Sequence, residues 1–138
     1  MIIVDTGVLV ALVDSDDSHH QACTAWFTGA DRLNLVVPAP VIAEACYLIG
    51  HHCGPSVEAT FLDDLGRGTY GTVSAVLPTD LARMSQLVTK YADLPLGGTD
   101  ACVVATAERF HATEVATIDH RHFRVVRPAH VKAFTLLP

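Results

Sequence analysis

Met1-Ile2-Ile3-Val4-Asp5-Thr6-Gly7 opens the chain, and the way this stretch is read decides the fold. Four apolar residues, β-branched at three positions, run straight into Asp, Thr and Gly, as a buried parallel strand entering a loop does. An aspartate at the end of such a strand is costly to desolvate as an isolated anion, so it needs a compensating cation or donors. An N-cap for the helix that follows would explain it equally well.

Working outward, Val8–Val13 is apolar on every side and predicts a short buried helix, closed by the polar stretch Asp14–Ser18. A second helix is expected from about His19 to Thr28, with a stop at Gly29. Leu33–Val37 fills with β-branched residues before Pro38 and predicts a strand. Pro40 suits the first turn of a helix whose apolar stripe is Val41, Ala45, Leu48 and Ile49, ending before Gly54 and Pro55. Ser56 is expected to cap a further helix that reaches about Leu65.

Thr72–Leu77 has strand character, and Pro78 and Thr79 open a helix through Leu81, Met84, Leu87, Val88 and Tyr91. Thr99 is the expected N-cap of a helix from Asp100 to about Phe110, Glu114–Ile118 a strand ending in Asp119, and Phe134–Leu137 a last edge strand. Strands alternating with helices mean parallel pairing with helices on both faces. The expected fold is therefore α/β, a three-layer α/β/α sandwich around a mostly parallel sheet of four to five strands. At 138 residues the chain is expected to be one folding unit, residues 1–138.

Half the residues are apolar and 17% are charged, which excludes a disordered chain. Charges or prolines break each hydrophobic stretch well short of a bilayer span, so no membrane association is expected. Met1–Val13 carries Asp5 and has neither a basic n-region nor a small-residue cleavage site, so a cytoplasmic protein is expected. The four cysteines form no C-x-x-C pair and read as reduced thiols. A formal net charge of −6 excludes nucleic-acid binding by bulk electrostatics, so any such function has to be local.

The informative residues are acids. Glu44 is the lone charge between Arg32 and Glu58, inside the apolar run Val41-Ile42-Ala43-Glu44-Ala45-Cys46. Asp100 sits in the first turn of its helix, where the macrodipole favours a carboxylate, and Asp119 ends a strand. Each has a structural explanation by itself. Taken together, Asp5, Glu44, Asp100 and Asp119 fall at strand ends or helix starts, where an open α/β sheet keeps its functional crevice. Convergent carboxylates are what hard divalent cations such as Mg²⁺ or Mn²⁺ require.

At these residues the chain resembles the PIN-domain nucleases, and specifically the VapC toxins of prokaryotic toxin-antitoxin systems. The matching segments are I-V-D-T-G at Ile3–Gly7, P-V-I-A-E at Pro40–Glu44, D-L-P-L-G-G-T-D-A at Asp93–Ala101, and A-T-I-D-H-R-H-F at Ala116–Phe123. The resemblance implies Mg²⁺ or Mn²⁺ ligation by Asp5, Glu44, Asp100 and Asp119, with Thr6 and Thr117 as helpers. It implies endonucleolytic hydrolysis of RNA by metal-activated water, with 5′-phosphate and 3′-hydroxyl products. A cognate antitoxin and a homodimer are the implied protein partners. Asp93 matches a family position and is expected to support the ligands or cap a turn. Gly7 stands where many relatives carry serine.

Arg121, Arg124 and Arg127 follow Asp119 closely and are candidate contacts for RNA phosphates; a solvated surface segment is the alternative. His122-Phe123 is read as a packing anchor. A haloacid-dehalogenase-like phosphatase would need a second Asp where Gly7 stands. A receiver domain would need an early acidic pair and a strand lysine, and the one interior lysine, Lys90, is helical. A non-catalytic PIN-like domain that binds RNA or protein is the remaining alternative.

Overall fold

The computed structural model describes residues 1–138. In chain order the elements are β1 (Ile2–Val4), α1 (Thr6–Val13), α2 (His20–Gly29), a 3-10 turn (Arg32–Asn34), β2 (Leu35–Pro38), α3 (Ala39–Cys53) and α4 (Pro55–Gly66). They continue as β3 (Thr72–Ser74), α5 (Pro78–Lys90), α6 (Gly98–Phe110), β4 (Glu114–Ala116), α7 (His120–Val125) and β5 (Thr135–Leu137). The five strands form one sheet in the order β3-β2-β1-β4-β5, and every pairing is parallel.

Successive strand residues point to opposite faces, so adjacent buried residues report that both faces are covered. Ile3 and Val4, Leu35 through Val37, and Val115 and Ala116 are all buried, as a layer of helices on each side requires. One helical group is α1 to α4 and another is the α5–α6 pair. No helix is long and apolar enough to cross a membrane. All four cysteines are free thiols.

Element identity follows the sequence closely, and boundaries shift where backbone chemistry intervenes. Leu33 and Asn34 lie in the 3-10 turn, whose Asp31 cap accepts from the Leu33 N–H, so β2 starts at Leu35. The expected Thr72–Leu77 strand stops at Ser74, opposite Pro38 where its partner β2 ends, and Arg109 Nη2 donates to Ser74 Oγ (2.9 Å) and the Ala75 carbonyl (3.2 Å) there. Strand β4 ends at Ala116 rather than Ile118, since Thr117 Oγ1 accepts from the Asp119 N–H and bends the chain.

Two expected caps are corrected. Gly54, at φ 89°, precedes α4 with Pro55 in its first turn, so Ser56 is already helical and caps nothing. Gly97 likewise is the N-cap of α6, two residues before Thr99, without a side-chain cap. Before β3, Gly71 has φ 108°, and a Cβ there would lie 2.4 Å from the Leu35 carbonyl oxygen; only glycine permits that approach.

The α5–α6 pair is fastened by charge. Arg83 grips Glu108 with Nε–Oε2 at 2.8 Å and Nη2–Oε1 at 2.9 Å, while Glu108 Oε1 also accepts from the Ala129 N–H. Burial pushes the Glu108 carboxyl up, but the Arg83 hydrogen bonds, the Ala129 N–H and the Arg83 and His130 charges outweigh it, and the net shift is downward. A lowered native pKa means stabilisation that is present above the ordinary glutamate pKa of 4.5 and lost as the pH falls through the native value. Glu108→Gln is therefore expected to cost about 2 kcal/mol at pH 7 and progressively less in acid, read from urea midpoints across pH.

Candidate metal centre

The strand order makes the site. The chain leaves β1 for β2 and β3 on one side, then returns through α5 and α6 to place β4 on the other side of β1. The β1–β4 gap is thus the topological switch point, where the outgoing loops diverge and leave a crevice at the carboxyl ends of the strands. Asp5 follows β1 and Asp119 lies three residues beyond the end of β4. Helix α6, packed against β1 and β2, delivers Asp100 in its first turn, and α3 contributes Glu44.

Asp5 is buried and serves both roles that the sequence left open. It caps α1, with Oδ1 accepting from the Thr6 N–H at 2.8 Å, while Oδ2 accepts from Thr117 Oγ1 at 2.8 Å. Burial raises its pKa to about 6; the hydrogen bonds from Thr117 and Thr6 oppose the rise, and repulsion from Asp100 and Glu44 adds to it. Thr117 is fully buried and passes a hydrogen bond along, because its Oγ1 also accepts from the Asp119 N–H at 2.9 Å. Asp5 and Asp119 are thereby linked through one hydroxyl.

Asp100, Asp119 and His122 bring ligand atoms within 4.8 Å of one another. Burial raises Asp100; repulsion from Asp119 and Glu44 adds to the rise, while His122 and the Gly97 backbone lower it. Glu44 is the exposed member, facing solvent from α3 yet close enough to act electrostatically on both Asp5 and Asp100. Charge repulsion thus links Asp5, Glu44, Asp100 and Asp119 at this end of the sheet.

His122 is the residue that sequence reading missed as part of the site. Its Nδ1 lies 2.5 Å from Asp119 Oδ2 and 3.7 Å from Asp100 Oδ2, so the imidazole bridges the pair. A carboxylate can only accept here, so Nδ1 carries the proton. The backbone N–H of His122 also caps onto Asp119 Oδ1 at 3.1 Å. This depends on α7, a six-residue helix absent from the sequence-based expectation. Asp-x-x-His at i, i+3 on a helix was the available signal.

The other candidates separate. Asp93 is exposed, and its side chain accepts no hydrogen bond from the turn that follows. Arg127 turns its Nη1 onto the carbonyls of Arg124 and Val126, and Arg124 reaches His120 Nδ1 at 3.4 Å. Arg121 is exposed and forms no hydrogen bond or ion pair, which leaves it the freest cation beside the crevice. Phe123 is fully buried, as its reading as an anchor required.

The donors suit a hard divalent cation: two carboxyls whose pKa values are raised first by burial and then by neighbouring acids, with one imidazole beside them. A second observation points the same way. Thr6 Oγ1, next to Asp5, is buried without any hydrogen-bond partner, a costly state for a hydroxyl unless something bound there satisfies it. His122→Ala keeps the backbone cap but frees the Asp119 carboxylate to swing. It is expected to weaken Mn²⁺ binding about tenfold in a fluorescence or calorimetric titration. Unchanged affinity would count against the bridge.

Comparison with known proteins agrees with this fold. Residues 2–128 match the family model described as PIN domain. Ribonuclease VapC26 of Mycobacterium tuberculosis is 32% identical over 138 residues, 99% of this chain and 100% of that protein. The crystal structure of Mycobacterium tuberculosis VapC20, a toxin that cleaves the sarcin-ricin loop, superposes with a TM-score of 0.81 at 16% identity, covering 96% of this chain and 99% of that one. FitAcB from Neisseria gonorrhoeae gives a TM-score of 0.69 at 16% identity, covering 100% of this chain and 97% of its own. Carboxylates gathered at the switch point of an all-parallel sheet, matched along almost the whole chain, make this protein a member of the PIN domain family, related within it to the VapC ribonucleases.

Proposed function

We propose that the chain is a metal-dependent endoribonuclease, the toxin of a toxin-antitoxin pair, and that Asp5, Glu44, Asp100 and Asp119 hold Mg²⁺ or Mn²⁺. The observation that carries this reading is a buried Asp5 with other acids near it: burial first, then the charges of Asp100 and Glu44, raise its pKa to about 6, an anion that its surroundings disfavour. The kinship to a curated ribonuclease along the full chain supports it. The chemistry supplied by a bound divalent cation is activation of water at neutral pH and neutralisation of charge on the phosphate.

The chain's own residues do the positioning. Thr6 N–H and Thr117 Oγ1 fix both oxygens of Asp5, Thr117 transmits that placement to Asp119, and His122 steadies the Asp119 carboxylate. Arg121 and Arg124 offer cations for RNA phosphates beside the crevice; Arg127 is spent on the end of α7. A protein partner belongs to this reading as well. Leu77, Leu81 and Val88 are exposed along α5, and Tyr47 and Leu62 along α3 and α4, as surfaces for an antitoxin and for a second copy would be.

The test is cleavage of mixed RNA with Mn²⁺ or Mg²⁺. Products with 5′-phosphate ends that vanish with chelator are expected. Retained RNA binding without cleavage would instead favour a non-catalytic PIN-like binding domain.

A further inference from the structure

Beside the carboxylates lies a cavity of about 230 Å³, lined by His19, Ala22, Thr117, Ile118, His120 and Pro138. We propose that it is a subsite for one nucleobase of the RNA strand, adjoining the scissile phosphate and selecting which base lies there; this rests on the nuclease reading above.

Position argues first. Thr117, one wall of the cavity, is the residue that donates to Asp5 and accepts from Asp119 N–H, and His120 directly follows Asp119. A strand whose phosphate sits at the carboxylates reaches this cavity with a neighbouring nucleotide.

Chemistry argues second. No Asp, Glu, Lys or Arg side chain lines the cavity, so it offers a phosphate, a carboxylate or a free cation no permanent charge to pair with. Ala22, Ile118 and Pro138 give apolar surface, while His19 and His120 give polar groups, the combination that a flat base with an apolar face and a polar edge requires. The volume is below that of pockets for drug-sized ligands, so it suits a single ring system and not a whole cofactor.

The two imidazoles are set differently. Arg124 Nη2 can only donate to His120 Nδ1, so Nε2 of His120 carries its proton. His19 Nδ1 lies 3.4 Å from Asp17 Oδ1 and 3.2 Å from Ser18 Oγ, which hold that edge of the ring and leave Nε2 turned away from them. Neither Nε2 has a partner in the chain. Two unpartnered ring nitrogens on the same cavity can hydrogen-bond the polar edge of a base.

Gly7 shapes the wall. A Cβ at position 7 would fall 2.5 Å from Ile118 Cγ1, so Ile118 keeps its place in the lining only while residue 7 has no side chain.

The experiment maps cleavage ends on randomised single-stranded RNA with Mn²⁺, for the full chain and its Ala22→Leu and His19→Ala variants. Ala22 and His19 are exposed residues away from the carboxylates, so both variants should fold. The wild type should prefer certain bases at one position within a nucleotide or two of the cut. Ala22→Leu should raise KM about tenfold and flatten that preference, and His19→Ala should relax it, both with unchanged Mn²⁺ binding. Wild-type preference and KM in both variants would overturn the subsite, and is also the result expected were the occupant a protein side chain. Should the wild type cut no RNA, the nuclease reading fails on its own. The cavity is then judged by NMR titration with the four nucleoside 5′-monophosphates: shifts of the His19 and His120 ring signals support it, and none with any of them overturns it.

Discussion

Asp5→Asn is expected to abolish metal-dependent cleavage while leaving the metal-free fold intact. The loss should exceed the 10- to 100-fold typical of residues that merely support a ligand, because Asn removes a charge from the centre of the cluster. Stability should respond in the opposite sense. The native pKa of Asp5, about 6, lies above the ordinary 3.8, so the folded state binds this proton more tightly than the unfolded state does. Stability of the metal-free protein should therefore fall as pH rises from about 4 to about 6, by about 3 kcal/mol from this group. The Asn variant should lack that descent. Mn²⁺ should raise the melting temperature of the wild type at pH 7.5 far more than at pH 5, and that of the variant at neither. A variant that keeps cleavage, or a wild type whose metal-free stability does not fall across this window, would remove the basis for the metal centre.

Phe123→Ala should destroy both properties at once. Phe123 is fully buried and is the one buried residue of α7, the helix that carries His122 and is capped by Asp119. Emptying its site should cost about 3–5 kcal/mol, a large share of the stability of an ordinary domain. The loss of α7 should also release Asp119 and His122, so cleavage should fall even in whatever fraction remains folded. Phe123→Leu, which keeps most of the volume, should recover stability to within about 1.5 kcal/mol and most of the activity. Urea midpoints with parallel cleavage rates separate these outcomes. If Phe123→Ala unfolds the chain outright, the Leu variant still decides: stability recovered without activity would mean that α7 does not organise the site.

The contrast between these two residues explains what was readable in advance. Asp5 was conspicuous because an acid at the end of an apolar run is a local anomaly, visible without neighbours. Glu44 stood out for the same reason, although it faces solvent, so its surroundings in the sequence overstated its burial. Helix α7 was not legible. Six residues do not complete two turns, and His120-Arg121-His122-Phe123-Arg124-Val125 shows no repeating apolar face. His122 was hidden with it, since its role exists only once the helix places it one turn from Asp119. The misplaced caps at Ser56 and Thr99 share another cause: Gly54 with Pro55, and Gly97 with Gly98, start their helices earlier than the nearest hydroxyl suggests.

By itself, the order of residues determined the alternation of strands and helices, because hydrophobic period and turn chemistry are local properties. It also determined which acids stand where no ordinary surface charge belongs. Only the tertiary structure decided that β4 lies beside β1 and that the switch point falls between them, bringing Asp5 and Asp119 onto one threonine hydroxyl. No local propensity says which strands pair. That choice is made by burying both faces of the sheet at once, and the acidic cluster and the neighbouring cavity follow from it.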